Sequence, residues 1–135
     1  MITTEKPTLQ EFHIEGVKHI TPLNALEAVK NKEAILIDVR EEKECLLESI
    51  ALDDVYYHPM SVIMERLEYI PKDKALIVVC HQGFRSTKVA NLLTRQGFDN
   101  VANLDGGFVM WKTQDLPLES TIACGSWAVD AQNKR

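Results

Sequence analysis

Short apolar runs, each stopped by a charge, a proline or a turn, alternate along the chain with segments of helical spacing. Residues 17–20 predict a short strand. Thr21 and Pro22 then predict a helix start, with Thr21 as N-cap and Pro22 at the first helical position. Leu23, Leu26 and Val29 supply that helix with an apolar stripe ending near Asn31. Residues 34–38 are an apolar run closed by Asp38, too short for a helix and β-branched enough for a buried strand. Residues 41–47 predict a short helix, 55–58 a weaker strand stopped by Pro59, and Val62, Met64, Leu67 and Ile70 a loose helix over 61–69. After a turn at 71–74, residues 75–79 form the clearest buried strand. A helix over 86–96 carries Val89, Leu92 and Leu93 on one face. Gly97 is placed to stop it in the left-handed conformation, with Phe98 folding back on Leu93. A strand at 101–104 follows, then Gly106 and Gly107 lead into a short helix bearing Phe108, Met110 and Trp111. Residues 116–118 close the regular pattern.

Alternating strands and helices, with strands apolar on both faces, predict an α/β fold: a parallel sheet covered by helices on both sides. Ligands of such sheets bind beyond the carboxyl ends of the strands, where Asp38 and Cys80 fall. Residues 17–118 form the predicted domain. Residues 1–16 precede it as an arm, either flexible or adding an edge strand at Glu11 to Glu15. Residues 119–135 follow as a tail whose Ile122, Trp127 and Val129 are too apolar for a wholly free end. Cys124 in that tail is either incidental or a resolving thiol.

Composition narrows the function classes. With 135 residues, 45% hydrophobic and 26% charged, the chain suits one folded domain and not a disordered segment. The longest apolar run, 75–80, is far below the roughly 20 residues of a membrane helix. The first seven residues lack an apolar signal core, which predicts a cytoplasmic protein. A net charge of −5 argues against nucleic acid as the main partner. Three cysteines without a C-x-x-C pair predict free thiols in a reducing compartment. The spacing of His13, His19, His58, His81 and the cysteines predicts no metal site, and Gly106-Gly107 is too weak for a dinucleotide motif.

The segment Cys80-His81-Gln82-Gly83-Phe84-Arg85-Ser86 concentrates the candidate chemistry. A cysteine ends a buried strand, a loop containing glycine and no proline follows, and a helix begins at once. Such a loop can turn its N–H groups inward as an anion nest around the sulfur. With Arg85 nearby, this favours a thiolate, an activated nucleophile without a paired general base. Charge agrees: between Lys72 and Phe98 five bases face one acid, whereas from Asp38 to Asp54 seven acids face two bases. A basic surround predicts a small anionic substrate. Asp38 and Arg40 either support the loop or form a structural ion pair with Glu41, Glu42 or Glu44; the structural role is favoured.

These motifs resemble the rhodanese domain family of sulfurtransferases. Cys80, Gly83, Arg85 and Ser86 match its C-x-x-G-x-R-S active loop. Asp38-Val39-Arg40 matches its Asp-Val-Arg, and the segment from Asn103 to Phe108 with Trp111 matches its strand, Gly-Gly and Trp-bearing helix. The resemblance covers residues 17–113. It implies a three-layer α/β/α fold with a five-stranded parallel sheet in the order 3-2-4-5-1. It further implies a persulfide on Cys80, held by the loop residues His81, Gln82, Gly83, Phe84, Arg85 and Ser86. His81 would contribute a backbone N–H and point outward. No metal or organic cofactor is implied. The partners would be a sulfur donor such as thiosulfate and a thiol, cyanide or protein acceptor. The loop from Cys80 to Arg85 is one residue shorter than the C-x5-R loop of related dual-specificity phosphatases, which favours sulfur over phosphate or arsenate chemistry. A noncatalytic binding module is the other alternative. Residues 48–53 depart from the family's usual Gly-His-Ile-x-Gly-Ala.

Overall fold

The computed structural model describes residues 1–120. Five parallel strands form the main sheet: β1 (Lys18–Ile20), β2 (Ala34–Asp38), β4 (Val55–Tyr57), β5 (Ala75–Val79) and β6 (Val101–Leu104), in the spatial order β1-β6-β5-β2-β4. Counted along this sheet alone, that is the order 3-2-4-5-1. The central strand β5 pairs with β2 from Ala34↔Ala75 to Asp38↔Val79, and with β6 from Leu76↔Val101 to Val78↔Asn103.

β5 is apolar on both faces because both are covered. Leu76, Val78 and Cys80 join one core cluster with Val89, Leu93 and Phe98; Ala75, Ile77 and Val79 join the other with Ala25, Val29, Phe108 and Trp111. The first layer is supplied by α3 (Phe84–Arg95), the second by α1 (Pro22–Lys30) and α4 (Gly107–Thr113). Helix α3 ends as expected: Gly97 has φ 96°, its N–H donates to the Thr94 carbonyl at 3.2 Å, and Phe98 N–H reaches the Leu93 carbonyl at 3.1 Å.

Several local expectations are corrected. Helix α1 buries Pro22, Ala25, Ala28 and Val29, while Leu23 is 56% exposed, so the buried stripe is made of small residues that let the helix sit close to β2. Residues 60–69 form two 3-10 segments, Met60–Glu65 and Leu67–Tyr69, in place of an α-helix. The backbone breaks at Val62 (φ −127°, ψ 15°). Helix α3 begins at Phe84, two residues before the expected start. The regular pattern does not close at 118: β7 (Leu118–Ser120) pairs antiparallel with β3 (Glu48–Ile50), which follows α2 (Glu42–Leu47). The unusual 48–53 stretch thus contributes a strand. The arm pairs with the sheet edge at Thr4, which exchanges two backbone hydrogen bonds with His19, and not at Glu11 to Glu15. Cys124, Ile122, Trp127 and Val129 lie outside the described residues.

Candidate active site

Cys80 continues β5 at its carboxyl end and is 1% exposed. The chain turns at Gly83, which lies in the left-handed region at φ 98° and caps α3. That turn aims two N–H groups back at the sulfur: Gly83 N donates to Sγ at 3.1 Å and Ser86 N at 3.3 Å. Ser86 Oγ lies 3.2 Å from the same atom. The expected nest therefore forms through Gly83 and Ser86. Two amide donors at a helix start favour negative charge on sulfur. His81 and Gln82 are exposed, as is Phe84, whose ring lies 5.1 Å from that of Phe12.

The Gly-Gly segment holds this loop from the other side. The first N–H groups of α4 take the loop carbonyls: Phe108 N donates to Cys80 O at 2.8 Å and Val109 N to His81 O at 3.0 Å. A Cβ on Gly107 would stand 2.6 Å from His81 O and 2.8 Å from Cys80 O. Gly106-Gly107 leads into α4 as expected, and it also allows close approach of one backbone to another.

Charge is arranged differently from expectation. Asp38 and Arg40 pair with each other and not with the α2 acids. Arg40 Nη2 is 2.9 Å from Asp38 Oδ2, and both side chains are buried. Arg40 also donates to Glu48 O at 2.8 Å and stacks over the Phe108 ring at 4.4 Å. Arg85 forms a two-pronged pair with Glu44, both bonds 2.8 Å. The acidic segment thus folds onto the basic one. Arg85 holds the Glu44 carboxyl down to about 2, with help from the Glu41 N–H and against burial. Glu44 binds its proton more weakly in the folded chain than in the unfolded one, where its ordinary value is 4.5. Its stabilisation is complete above pH 4.5 and is lost as pH falls toward 2. Glu44→Gln is expected to destabilise the protein by about 1 kcal/mol at pH 7, with the deficit closing below pH 4.5. Urea unfolding at pH 7 and pH 3 checks this; an equal deficit at both would refute it.

Four polar residues completing the site have no role of their own assigned from the sequence. Gln10 reaches in from the arm: its Nε2 donates to Thr87 Oγ1 at 3.1 Å and to Gly83 O at 3.3 Å. Its Oε1 accepts from Gly106 N at 2.8 Å and from Asn103 Nδ2 at 3.0 Å. Asn103 Oδ1 accepts the Ser86 hydroxyl. Asp105 takes the N–H groups of Thr8 and Leu9 at 2.7 and 3.0 Å, docking the arm. His19 is fully buried in β1, and desolvation, with His13 adding to it, lowers it to about 4. Polar residues inside otherwise apolar strands were the available signal for Asn103 and His19; Gln10, in an aperiodic arm, had none.

Beside the loop lies a pocket of about 180 Å³ lined by Arg40, Glu44, Leu47, Glu48, His81 and Phe108. A larger cavity of about 300 Å³, near Lys32, Tyr56 and Lys74, shares no residue with the loop. Among the described residues, no group of three or more His, Cys, Asp or Glu side chains could hold a metal ion, and no helix is long and apolar enough to cross a membrane.

A cysteine closing the central strand of a parallel α/β sheet, with its sulfur cradled at a helix start, defines a class, and comparison names it. Residues 21–114 match the rhodanese-like domain family, and the chain belongs to that family. It is 37% identical over 95 residues to a thiosulfate sulfurtransferase GlpE of Coxiella burnetii, covering 70% of this chain and 87% of that protein. It is 30% identical over 100 residues to one of Vibrio cholerae, covering 73% and 92%. A rhodanese-related protein of Thermoplasma volcanium superposes with a TM-score of 0.68 at 28% identity, over 75% of this chain and 96% of that one.

Proposed function

We propose that the protein is a sulfurtransferase that carries a sulfane sulfur as a persulfide on Cys80. The observation that carries this reading is the Cys80 sulfur receiving the Gly83 and Ser86 N–H groups within a rhodanese-like fold. Relatives named thiosulfate sulfurtransferase support the same chemistry. The Cys80 thiolate attacks the outer sulfur of thiosulfate; the new S–S bond forms as the bond to the sulfite sulfur breaks, and sulfite leaves with its electron pair. An acceptor thiolate or cyanide then attacks the outer sulfur of the persulfide, and Cys80 leaves as thiolate. Each step is a displacement at sulfur and needs neither metal nor external electrons.

The loop residues His81, Gln82, Gly83, Phe84, Arg85 and Ser86 surround the persulfide in this reading, while Asp38 and Arg40 brace the end of β2 beside it. Arg85 is engaged by Glu44, and the short loop from Cys80 to Arg85 further disfavours a phosphate ligand. The unpaired thiols of Cys45 and Cys80 suit a reducing, cytoplasmic setting.

The test is intact mass after incubation with thiosulfate and removal of excess donor. The wild-type chain is expected to gain roughly 32 Da, one sulfur atom, and Cys80→Ser to gain none. No gain in the wild type, or the same gain in Cys80→Ser, would overturn the proposal.

A further inference from the structure

The hydrogen bonds behind Cys80 have a definite direction, because one end is anchored by a group that can only donate. Gly106 N is a backbone donor, so the Gln10 atom facing it at 2.8 Å is the carbonyl Oε1. The Asn103 atom that meets Oε1 at 3.0 Å must then be its NH2. That leaves Asn103 Oδ1 facing Ser86 Oγ. An amide oxygen only accepts, so the single Ser86 hydroxyl proton is directed at Asn103. Toward Cys80 Sγ, 3.2 Å away, Ser86 presents a lone pair. A thiol can donate its proton to that lone pair; a thiolate is repelled by it.

The remaining partners agree. The second Asn103 N–H points at His19 Nδ1, 3.1 Å away, so that nitrogen is unprotonated. His19 Nε2 then carries the proton and donates to His13 Nδ1 at 2.8 Å. Among the described residues, His13 Nε2 is buried without a partner. This tautomer is compatible with the Asn103 orientation that Gly106 and Gln10 fix.

We propose that Gln10 and Asn103 are positioning residues that direct the Ser86 hydroxyl proton away from Cys80 and so hold the resting sulfur toward its thiol form. Gln10 lies before the family match at residue 21, so this control is supplied by the arm. The Gly83 and Ser86 amides pull the sulfur toward thiolate, while the Ser86 oxygen, set by Asn103, opposes them. When the hydroxyl turns to the sulfur it leaves Asn103 and becomes a third donor. The charged groups around the loop are already committed to other partners: Arg85 to Glu44 of α2, Arg40 to Asp38 of β2, and Asp105 after β6 to the arm. His19 of β1 and His13 of the arm are bonded to each other, and His81 is exposed on the loop. The inference rests on the sulfurtransferase reading only in taking Cys80 as the reacting atom.

The experiment is the rate of iodoacetamide alkylation of Cys80 against pH, followed by peptide mass spectrometry on the full chain with no sulfur donor present. Asn103→Leu removes the acceptor that holds the Ser86 proton. The pH of half-maximal reactivity is expected to fall by about one unit relative to wild type, the scale of one added hydrogen bond to a charged sulfur. Gln10→Ala, which frees the Asn103 amide while leaving the core strand intact, is expected to move it in the same direction by less. Adding Ser86→Ala to Asn103→Leu removes both the hydroxyl proton and the opposing lone pair, and is expected to leave a clearly smaller downward shift than Asn103→Leu alone. Loosening of the loop alone would raise the plateau rate without moving the midpoint. An unmoved midpoint in both single variants, or a downward shift that Ser86→Ala does not reduce, overturns the proposal. Because no sulfur is transferred, a shifted midpoint with no mass gain from thiosulfate would sink the sulfurtransferase reading and leave this inference standing.

Discussion

Arg40→Ala is expected to cost about 3–5 kcal/mol of stability, the range for breaking a buried ion pair by removing one partner. Asp38 and Arg40 are 3% and 2% exposed, and their charges lie 2.9 Å apart. With arginine gone, the Asp38 carboxylate keeps the residue-40 backbone N–H, now 3.0 Å from Oδ1, and the weak Cys45 thiol donor at 3.5 Å. Neither offsets removal from water. The guanidinium also joins three elements: it leaves β2, donates to the Glu48 carbonyl at β3, and lies over Phe108 of α4. Arg40→Lys is expected to recover part of the loss, because an ammonium satisfies the charge without reproducing the planar fork. Urea unfolding of the three proteins at pH 7 measures this. A loss below about 1 kcal/mol for Arg40→Ala would show that water screens the pair and that it braces nothing.

That pair also marks where the sequence was legible. β2 and β5 could be read because strands buried on both faces must be apolar at every position, and such runs are hard to mistake. Cys80 could be read because the strand, the glycine turn and the helix start are contiguous in the chain. Arg85–Glu44 could not, since 41 residues separate the partners and local charge counts describe only neighbours in sequence. The counts led to an open basic site, and folding closed it with an acid. β3 and β7 were missed for a related reason: three-residue strands carrying Glu48, Ser49, Glu119 and Ser120 have no periodicity of their own and exist only as a pair. The 3-10 segments at 60–69 kept apolar spacing good enough to suggest a helix, while the break at Val62 depends on packing that spacing does not encode. Gln10 was invisible in the same way. Its importance comes from the amide NH2 and C=O it presents to the start of α3, to β6 and to the start of α4.

Gly107→Ala is expected to damage the site severely for a change of one methyl group. The residue has φ 65°, where a side chain costs about 1–3 kcal/mol. The added Cβ would also meet His81 O at 2.6 Å and Cys80 O at 2.8 Å, both backbone atoms of the loop that presents the sulfur. Neither can rotate away as a flexible side chain would. Relief requires moving the loop or the start of α4, and either motion stretches the Phe108–Cys80 and Val109–His81 hydrogen bonds, now 2.8 and 3.0 Å. The added loss is about 1–3 kcal/mol, the scale of overpacking in a tight interior. Gly16→Ala separates the two contributions. Gly16 has φ 94°, but a Cβ there would meet nothing within 4 Å, so its variant carries backbone strain alone. Gly107→Ala should therefore be the less stable of the two in urea. It should also fall about 100-fold in the rate of thiosulfate-dependent persulfide formation, since a displacement of under 1 Å takes the sulfur out of line with its amide donors. Gly16→Ala should keep the wild-type rate. If the two variants lose equal stability and both stay fully active, the contact between Gly107 and the loop carbonyls does not hold Cys80 in place.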